Sequence, residues 1–450
     1  MMTSRTIHRL FTAIASLCVA LVAGCGANLP GTDDDNDGIS ADPSDCSATG
    51  QNQFVLDVMR DIYFWQSELP EVDVTAFDSP EALLDALLFT PLDRFTFIND
   101  AAADDAFFSD SQFIGVGMGV SVRDGDTLRV TQTFSDGPAA AAGIDRGYTL
   151  LSINGMTATE IINGNGISAA FGADEVGVQV DLEYADLAGT EMQATLFKDF
   201  VTIETITTTA VFDVGGRRVG YLALRNFVEP TRAALDAAFA DFAAEGVVDV
   251  ILDVRYNGGG LVTVAEQLGN LLGGTTTSGS VLAERTHNAN NAFRNTTTVF
   301  EDAANAIDIT RLVVIATGAT ASASELVANA FLPFVDVTWV GADTFGKPVG
   351  SYGFEFCGKV VHPTAFQVVN ADGEGDYFDG FKVDCPAPDD LEHALGDPLE
   401  ASLAEALNVL GTGGCSATAA AAGAGRSAGI ARQAPAELSL RGRRLTIGAW

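Results

Sequence analysis

Ser322 and Lys347 remain as candidates for chemistry once three standard sites are set aside, and neither stands out on its own residues alone. G-x-S-x-G occurs only at Gly425 to Gly429, inside the Ala/Gly-rich tail with no strand pattern before it, and no serine lies three residues before a lysine, which sets aside the hydrolase-elbow and penicillin-binding patterns. Gly341 to Lys347 fits G-x-x-x-x-G-K, but Pro348 stands where a phosphate loop needs Ser or Thr for magnesium. No Cys-x-x-Cys occurs, and His287, His362 and His393 lie far apart, so no zinc site and no metal is expected. A serine hydroxyl needs a base to become a nucleophile, and a lysine serves only when neutral. Lysines are few: Lys198, Lys347, Lys359 and Lys382. Lowering a lysine from about 10.4 towards 7 takes roughly 4 kcal/mol of desolvation. Phe345, Pro348 and Val349 are consistent with an apolar pocket for Lys347. Taken alone, Ser322-x-x-Glu325 is an ordinary helix capping box and Lys347 an ordinary surface lysine.

The elements around these residues give them context. Residues 50–100 carry apolar positions at helical spacing: Phe54, Val55, Val58, Met59, Ile62 and Tyr63, then Leu83, Leu84 and Leu87. These read as core faces without chemistry. From about residue 112 the texture becomes short β-rich runs with turns at Asp124-Gly125 and Asn154-Gly155. Gly137-Pro138 opens a short helix that Gly143 stops. Residues 200–410 alternate strand and helix patterns. "VVDVILDV" and "RLVVIATG" read as buried parallel strands, the first opening into Asn257-Gly258-Gly259-Gly260 and the second into Thr320 to Glu325. The fold class expected is mixed, multidomain α/β, with sites at strand ends.

Two stretches resemble known families. "GPAAAAGI" and "LLSING" follow the pattern of bacterial PDZ domains, although Tyr148 stands where an Asp is common. That resemblance implies that Gly115, Val116, Gly117 and Met118 offer N–H groups to a peptide's terminal carboxylate, with strand addition beside them. "LDVRYNGGGL", "TASASEL" and "TFGKPVG", with Ser322 and Lys347 twenty-five residues apart and the PDZ-like block upstream, resemble the C-terminal processing peptidases, or tail-specific proteases. The resemblance covers about residues 50–410. It implies a peptidase core of the crotonase-like (ClpP/crotonase) type, with Ser322 as nucleophile and Lys347 as general base. The N–H of Ala323, with that of Gly258 or Gly259, would form the oxyanion hole. No cofactor is implied. Many members carry a Gln four residues after the lysine; here that position is Ser351, which in a strand would share a face with Lys347 and hydrogen-bond its amine as a third member. The competing expectation is a PDZ scaffold with a degenerate core that binds exposed C-termini.

The ends of the chain speak of export. Arg5, His8 and Arg9 precede the apolar run Leu10 to Ala23, and Leu21-Val22-Ala23-Gly24-Cys25 resembles a bacterial lipoprotein box with Cys25 as the lipidated residue. Gly26 favours outer-membrane sorting over inner-membrane retention, so the expected location is the cell envelope, as an outer-membrane lipoprotein facing the periplasm or the surface. Asp33, Asp35 and Asp37 resemble a calcium-loop opening without the closing Glu, which favours a solvated tether. The expected divisions are 1–24 signal peptide, 25–48 acidic tether, 49–108 helical region, 109–198 PDZ-like domain, 199–410 peptidase core and 411–450 low-complexity tail. Of the cysteines left after Cys18 and Cys25, the flanking positions favour Cys357 with Cys385 and Cys46 with Cys415. The first of these pairs would brace the turn-rich segment 370–385. Sixty Asp+Glu against 24 Lys+Arg, a net charge of -36, exclude a nucleic-acid partner. The partners expected are protein or peptide substrates with exposed C-termini, and a membrane through the lipid anchor.

Overall fold

A computed structural model describes residues 45–164 and 166–421. The segments expected to be a signal peptide and tether up to residue 44, Cys25 among them, and the basic end of the tail lie outside the described residues. Among the described residues no helix is long and apolar enough to cross a membrane.

The central sheet holds six strands in sequential order: β1 (Ile206–Val214), β2 (Arg217–Leu224), β3 (Asp249–Asp253), β4 (Arg311–Ala316), β5 (Asp336–Gly341) and β6 (Cys385–Pro386). Strands β1 and β2 form an antiparallel pair, and every later neighbour is parallel. The apolar runs are continuous because both faces are covered. Leu222, Leu252 and Val314 face the helices Thr231–Ala244, Val262–Thr277 and Ala323–Phe331. Tyr221, Ile251 and Val313 alternate onto the other face, against Leu403 and Leu410 of the helix Ala401–Thr412. Each parallel crossover returns the chain to the same edge, so the loops after β2, β3, β4 and β5 gather along one row of strand ends.

Two other parts frame that row. The helices Ala48–Ile62 and Pro80–Leu87 pack Val58, Met59, Leu83 and Leu87 into the core of the central sheet. Residues 118–197 form an antiparallel sheet ordered 118–123, 127–133, 149–153, 179–185 and 191–197, with its own core. Strand Met118–Arg123 is an edge of that sheet.

The disulfides correct the pairing expected from sequence. Cys46 bonds Cys357 and Cys385 bonds Cys415. Cys357 occupies the turn between strands Phe354–Phe356 and Lys359–His362, and Phe356 of that hairpin stacks on Phe54 of the first helix, 5.0 Å between centroids. Cys46, just before that helix, is therefore carried to Cys357. Cys385 in β6 is instead reached by Cys415 as the chain leaves the helix Ala401–Thr412. The segment 370–385 is thus not closed on itself by a bridge.

Candidate active site

Three of the strand-end loops assemble around Ser322. Ser322 follows β4 and caps the helix Ala323–Phe331 with φ 55° and ψ −117°, a left-handed conformation that is costly for a residue with a Cβ. The loop after β3 approaches it so closely that a Cβ on Gly259 would lie 2.8 Å from Ser322 Cβ and 3.1 Å from Ala323 N. Gly259 also has φ +109°, so position 259 requires glycine on both counts. Asn257 fixes this contact. Its amide donates to Leu224 O (3.1 Å) and its Oδ1 accepts from Gly259 N–H (2.9 Å). Its backbone oxygen accepts from Ala321 N–H and Ser324 Oγ.

These bonds sort the oxyanion candidates. The Gly259 N–H is committed to Asn257, whereas the N–H groups of Gly258 and Ala323 have no acceptor among the described residues. Ala323 N–H lies at a helix start, where free donors and the helix dipole favour a developing negative charge.

Glu325 joins the serine to the lysine. Its Oε2 accepts from Ser322 N–H (2.9 Å) and Lys347 N–H (2.8 Å), while Oε1 accepts from Gly346 N–H (2.8 Å) and the Thr344 hydroxyl. A fully buried carboxylate thus fastens the loop after β4 to the loop after β5. Burial pushes the Glu325 carboxyl above its ordinary range, against the lowering effect of these four hydrogen bonds. The Ser-x-x-Glu spacing signalled the bond to Ser322 N–H; nothing in the sequence signalled the reach to residues 344–347.

Lys347 leaves the loop toward aromatic walls. Its Nζ lies 6.0 Å from the Phe95 ring centroid, and Phe95 packs edge-on to Phe345. Arg94 holds this wall by donating to Phe345 O and Phe378 O, each at 2.8 Å. Loss of hydration lowers Lys347 to about 8, with Asp93 and Glu325 pulling in the opposite direction. Asp93, Arg94 and Phe95 belong to the N-terminal segment, whose sequence pattern by itself signals only core faces. Among the described residues no hydrogen bond joins Ser322 Oγ to Lys347 Nζ. Such bonds commonly close only when substrate is present.

Ser351 does not occupy the place expected of a third member. Lys347 precedes the strand Val349–Ser351, so the two residues do not share a strand face, and the pairing register shifts between Gly350 and Ser351. No hydrogen bond joins Ser351 to Lys347 among the described residues.

The four expected peptide-binding residues lie at the entrance to the antiparallel module: Gly115 ends the strand Gln112–Gly115, which pairs with Asp199–Thr202 in a separate two-stranded sheet, and the next three lead into the edge strand. Val116 and Met118 are buried in the module's core, and Gly117, at φ +81°, packs against Gly137. The oxygens of Val116 and Gly117 accept from Ala139 and Phe134, while the N–H groups of Val116 and Gly117 have no acceptor among the described residues. Cys385, Glu405 and Cys415 are the one cluster of metal-donor types among the described residues, and the bridge between the two sulfurs leaves them no thiolate to offer.

A polar junction connects this module to the loop after β3. Asp389 is ion-paired with Arg123 and Arg146 of the module and with Arg255 of the loop, and it accepts from Tyr256 Oη at 2.8 Å. Arg255 also pairs with Asp253 (2.7 Å) and Glu400 (2.8 Å). Burial would raise Asp389, but Arg255, Arg146 and Arg123 outweigh it and hold the carboxyl at about 2.

Comparison with known proteins places this geometry. Residues 50–97 match the peptidase S41 N-terminal domain and residues 218–385 match peptidase family S41. The carboxy-terminal processing protease CtpA of Bacillus subtilis is 25% identical over 274 residues, 60% of this chain and 55% of that protein. The chloroplastic C-terminal processing peptidase of Tetradesmus obliquus is 28% identical over 317 residues, 67% of this chain and 65% of its own length. The chain therefore spans somewhat more than half the length of these relatives. An S41 protease structure from Bacteroides fragilis shares the fold at TM-score 0.64 and 23% identity, covering 79% of this chain and 96% of that one. The photosystem II D1 C-terminal processing protease does so at TM-score 0.51 and 22% identity, over 82% and 98% of the two chains.

Proposed function

The chain belongs to peptidase family S41, a family of serine-type hydrolases, and we propose that it is an endopeptidase working through a Ser322/Lys347 dyad on proteins presented by their C-termini. The observation that carries the reading is the single buried carboxylate of Glu325, which takes the N–H of both residues beside an amine lowered to about 8. In this mechanism neutral Lys347 accepts the Ser322 proton as Oγ attacks the scissile carbonyl. The oxyanion is received by the N–H groups of Gly258 and Ala323, and Lys347 then returns the proton to the leaving amine. A second set of free donors, the N–H groups of Val116 and Gly117 beside the edge strand Met118–Arg123, supports reading the module as PDZ-like, with strand addition capturing a terminal carboxylate. Lipidation of Cys25, behind an acidic tether, would hold the enzyme at the cell envelope, with outer-membrane sorting favoured by Gly26.

The test is cleavage of an unfolded protein with an apolar C-terminus by the purified chain and by Ser322→Ala. Turnover by the parent and none by the variant is expected. Binding of C-termini without turnover by either chain would replace the peptidase with a scaffold.

A further inference from the structure

Among the described residues, Arg225 is a buried charge that the machinery above does not use. It follows β2 directly and is only 6% exposed, yet its Nε and Nη1 have no hydrogen-bond partner among the described residues. Its guanidinium lies 5.7 Å from the centroid of the Tyr256 ring. A shortage of acids does not explain this, because acidic residues outnumber basic ones 60 to 24. Three other arginines of the same junction, Arg123, Arg146 and Arg255, each reach Asp389. Leaving a guanidinium unpaired in a dry site is costly, so its position calls for an explanation, and an arriving anion is one that would satisfy it. Loss of hydration lowers Arg225 to about 9, which still leaves it charged at neutral pH.

Its position says which anion. Neighbouring strands β2, β3 and β4 end side by side, with Ala223 opposite Asp253 and Asp253 opposite Ile315. The loops that follow bear Arg225, then Gly258, then Ser322. Phe227, two residues beyond Arg225, donates to Gly259 O and accepts from Leu261 N–H, so the arginine's own loop is stitched to the glycine loop. Two strand spacings are about 10 Å, the reach of about three extended residues. Resting on the peptidase reading above, in which substrates enter by their C-termini and a terminal carboxylate therefore lies on the leaving side of the scissile bond, we infer that Arg225 receives a substrate carboxylate about three residues beyond that bond, and so sets where cleavage falls. The carboxylate is either the terminal one or an Asp or Glu side chain. A guanidinium suits either, through charge-assisted hydrogen bonds.

The experiment uses the full chain and three quenched fluorescent peptides with a common cleavage sequence. One ends three residues beyond the cleaved bond as the free acid, the second is its amide, and the third is an amide with Asp at the last position. The parent should favour the free acid over the plain amide by on the order of tenfold, expressed mainly in KM. Arg225→Met and Arg225→Gln should bring that ratio to within about twofold, and Arg225→Lys should retain part of it. If the Asp amide matches the free acid, the side-chain source is accepted; if it behaves as the plain amide, the terminal carboxylate is the ligand.

Equal handling of acid and amide by the parent overturns the proposal. So does a preference that survives in Arg225→Met, since the carboxylate would then be received elsewhere, as at Gly115 to Met118. Equal losses on all three peptides would mark Arg225 as structural and overturn it as well. Thermal unfolding of Arg225→Met guards against a folding defect, and an unchanged or raised Tm is expected because an unpaired buried charge is removed. Binding of the same peptides to Ser322→Ala, read by anisotropy, separates this proposal from the peptidase reading. An acid preference in binding that depends on Arg225, together with a parent chain that cleaves none of the peptides, would sustain the former and remove the latter.

Discussion

Glu325 and Asp389 are both carboxylates removed from water, and both fasten a strand-end loop of the central sheet to a neighbouring segment, yet their surroundings differ in kind. Glu325 is held by three N–H groups and a hydroxyl, and among the described residues no cation forms an ion pair with it. Asp389 faces three guanidinium groups. Geometry is fixed in both places, but the protonation tendencies are opposite. Burial moves Glu325 up and Lys347 down, each toward its neutral form, while the arginines hold Asp389 fully ionised. Paired charges lock a junction. Charges placed by neutral dipoles keep a group able to exchange a proton, which is where catalytic groups are found.

Replacing the lysine gives the largest expected effect on this contrast. Lys347→Arg puts a permanently charged group where a neutral amine is needed, and kcat should fall by about 10²- to 10⁴-fold, the usual worth of a positioned general base. For the parent, the active form is the deprotonated one, so the rate should rise with pH through about 8 and then level off. Near-normal turnover by Lys347→Arg would show that this corner is locked like the Asp389 junction, and the contrast would fail.

Gly259→Ala comes next. The added Cβ meets Ser322 and the Ala323 N–H, and the backbone at φ +109° disfavours any side chain. Loss of oxyanion geometry should lower kcat by about 10²- to 10³-fold with a smaller change in KM. A steady-state comparison of the two constants checks the split.

Much of this was legible in the sequence, for identifiable reasons. The buried strands β3 and β4 announced themselves as continuous apolar runs, and the glycine loop and Ser322 followed them directly in the chain. Local pattern reports local structure well. What it missed depends on segments far apart in the chain. The Phe95 wall and Asp93 reach Lys347 across some 250 residues, because the helices Ala48–Ile62 and Pro80–Leu87 dock on the central sheet's core. The disulfide pairing departs from the sequence expectation for the same reason: flanking positions in sequence do not reveal that the Phe354–His362 hairpin lies against the first helix. Arg255 and Tyr256 stood inside a quoted motif, yet their partner Asp389 lies more than 130 residues on.

The locked side of the comparison is tested by Asp389→Ala. Its carboxylate is 4% exposed, and its removal leaves buried guanidinium groups without their shared counter-charge. Breaking a buried pair in this way costs about 3–5 kcal/mol. Denaturant unfolding should register that loss, whereas the pH midpoint of any remaining activity should stay with Lys347. A shift of that midpoint would mean the two clusters are electrostatically one.

Ser351→Ala should have the smallest effect and sharpens the boundary of the catalytic corner. Had Lys347 and Ser351 shared a strand face, the hydroxyl would orient the amine, and its loss would both lower kcat and move the pH midpoint. Instead Lys347 lies ahead of the strand, and the register shift at Gly350 turns Ser351 out of step with it. The amine is placed through its own backbone, by Glu325, and through the aromatic wall at Phe95. Kcat/KM should therefore change by less than about twofold, within the range of surface substitutions that touch no special feature. A large loss together with a shifted midpoint would show that the hydroxyl turns toward the amine when substrate binds, making the corner a triad.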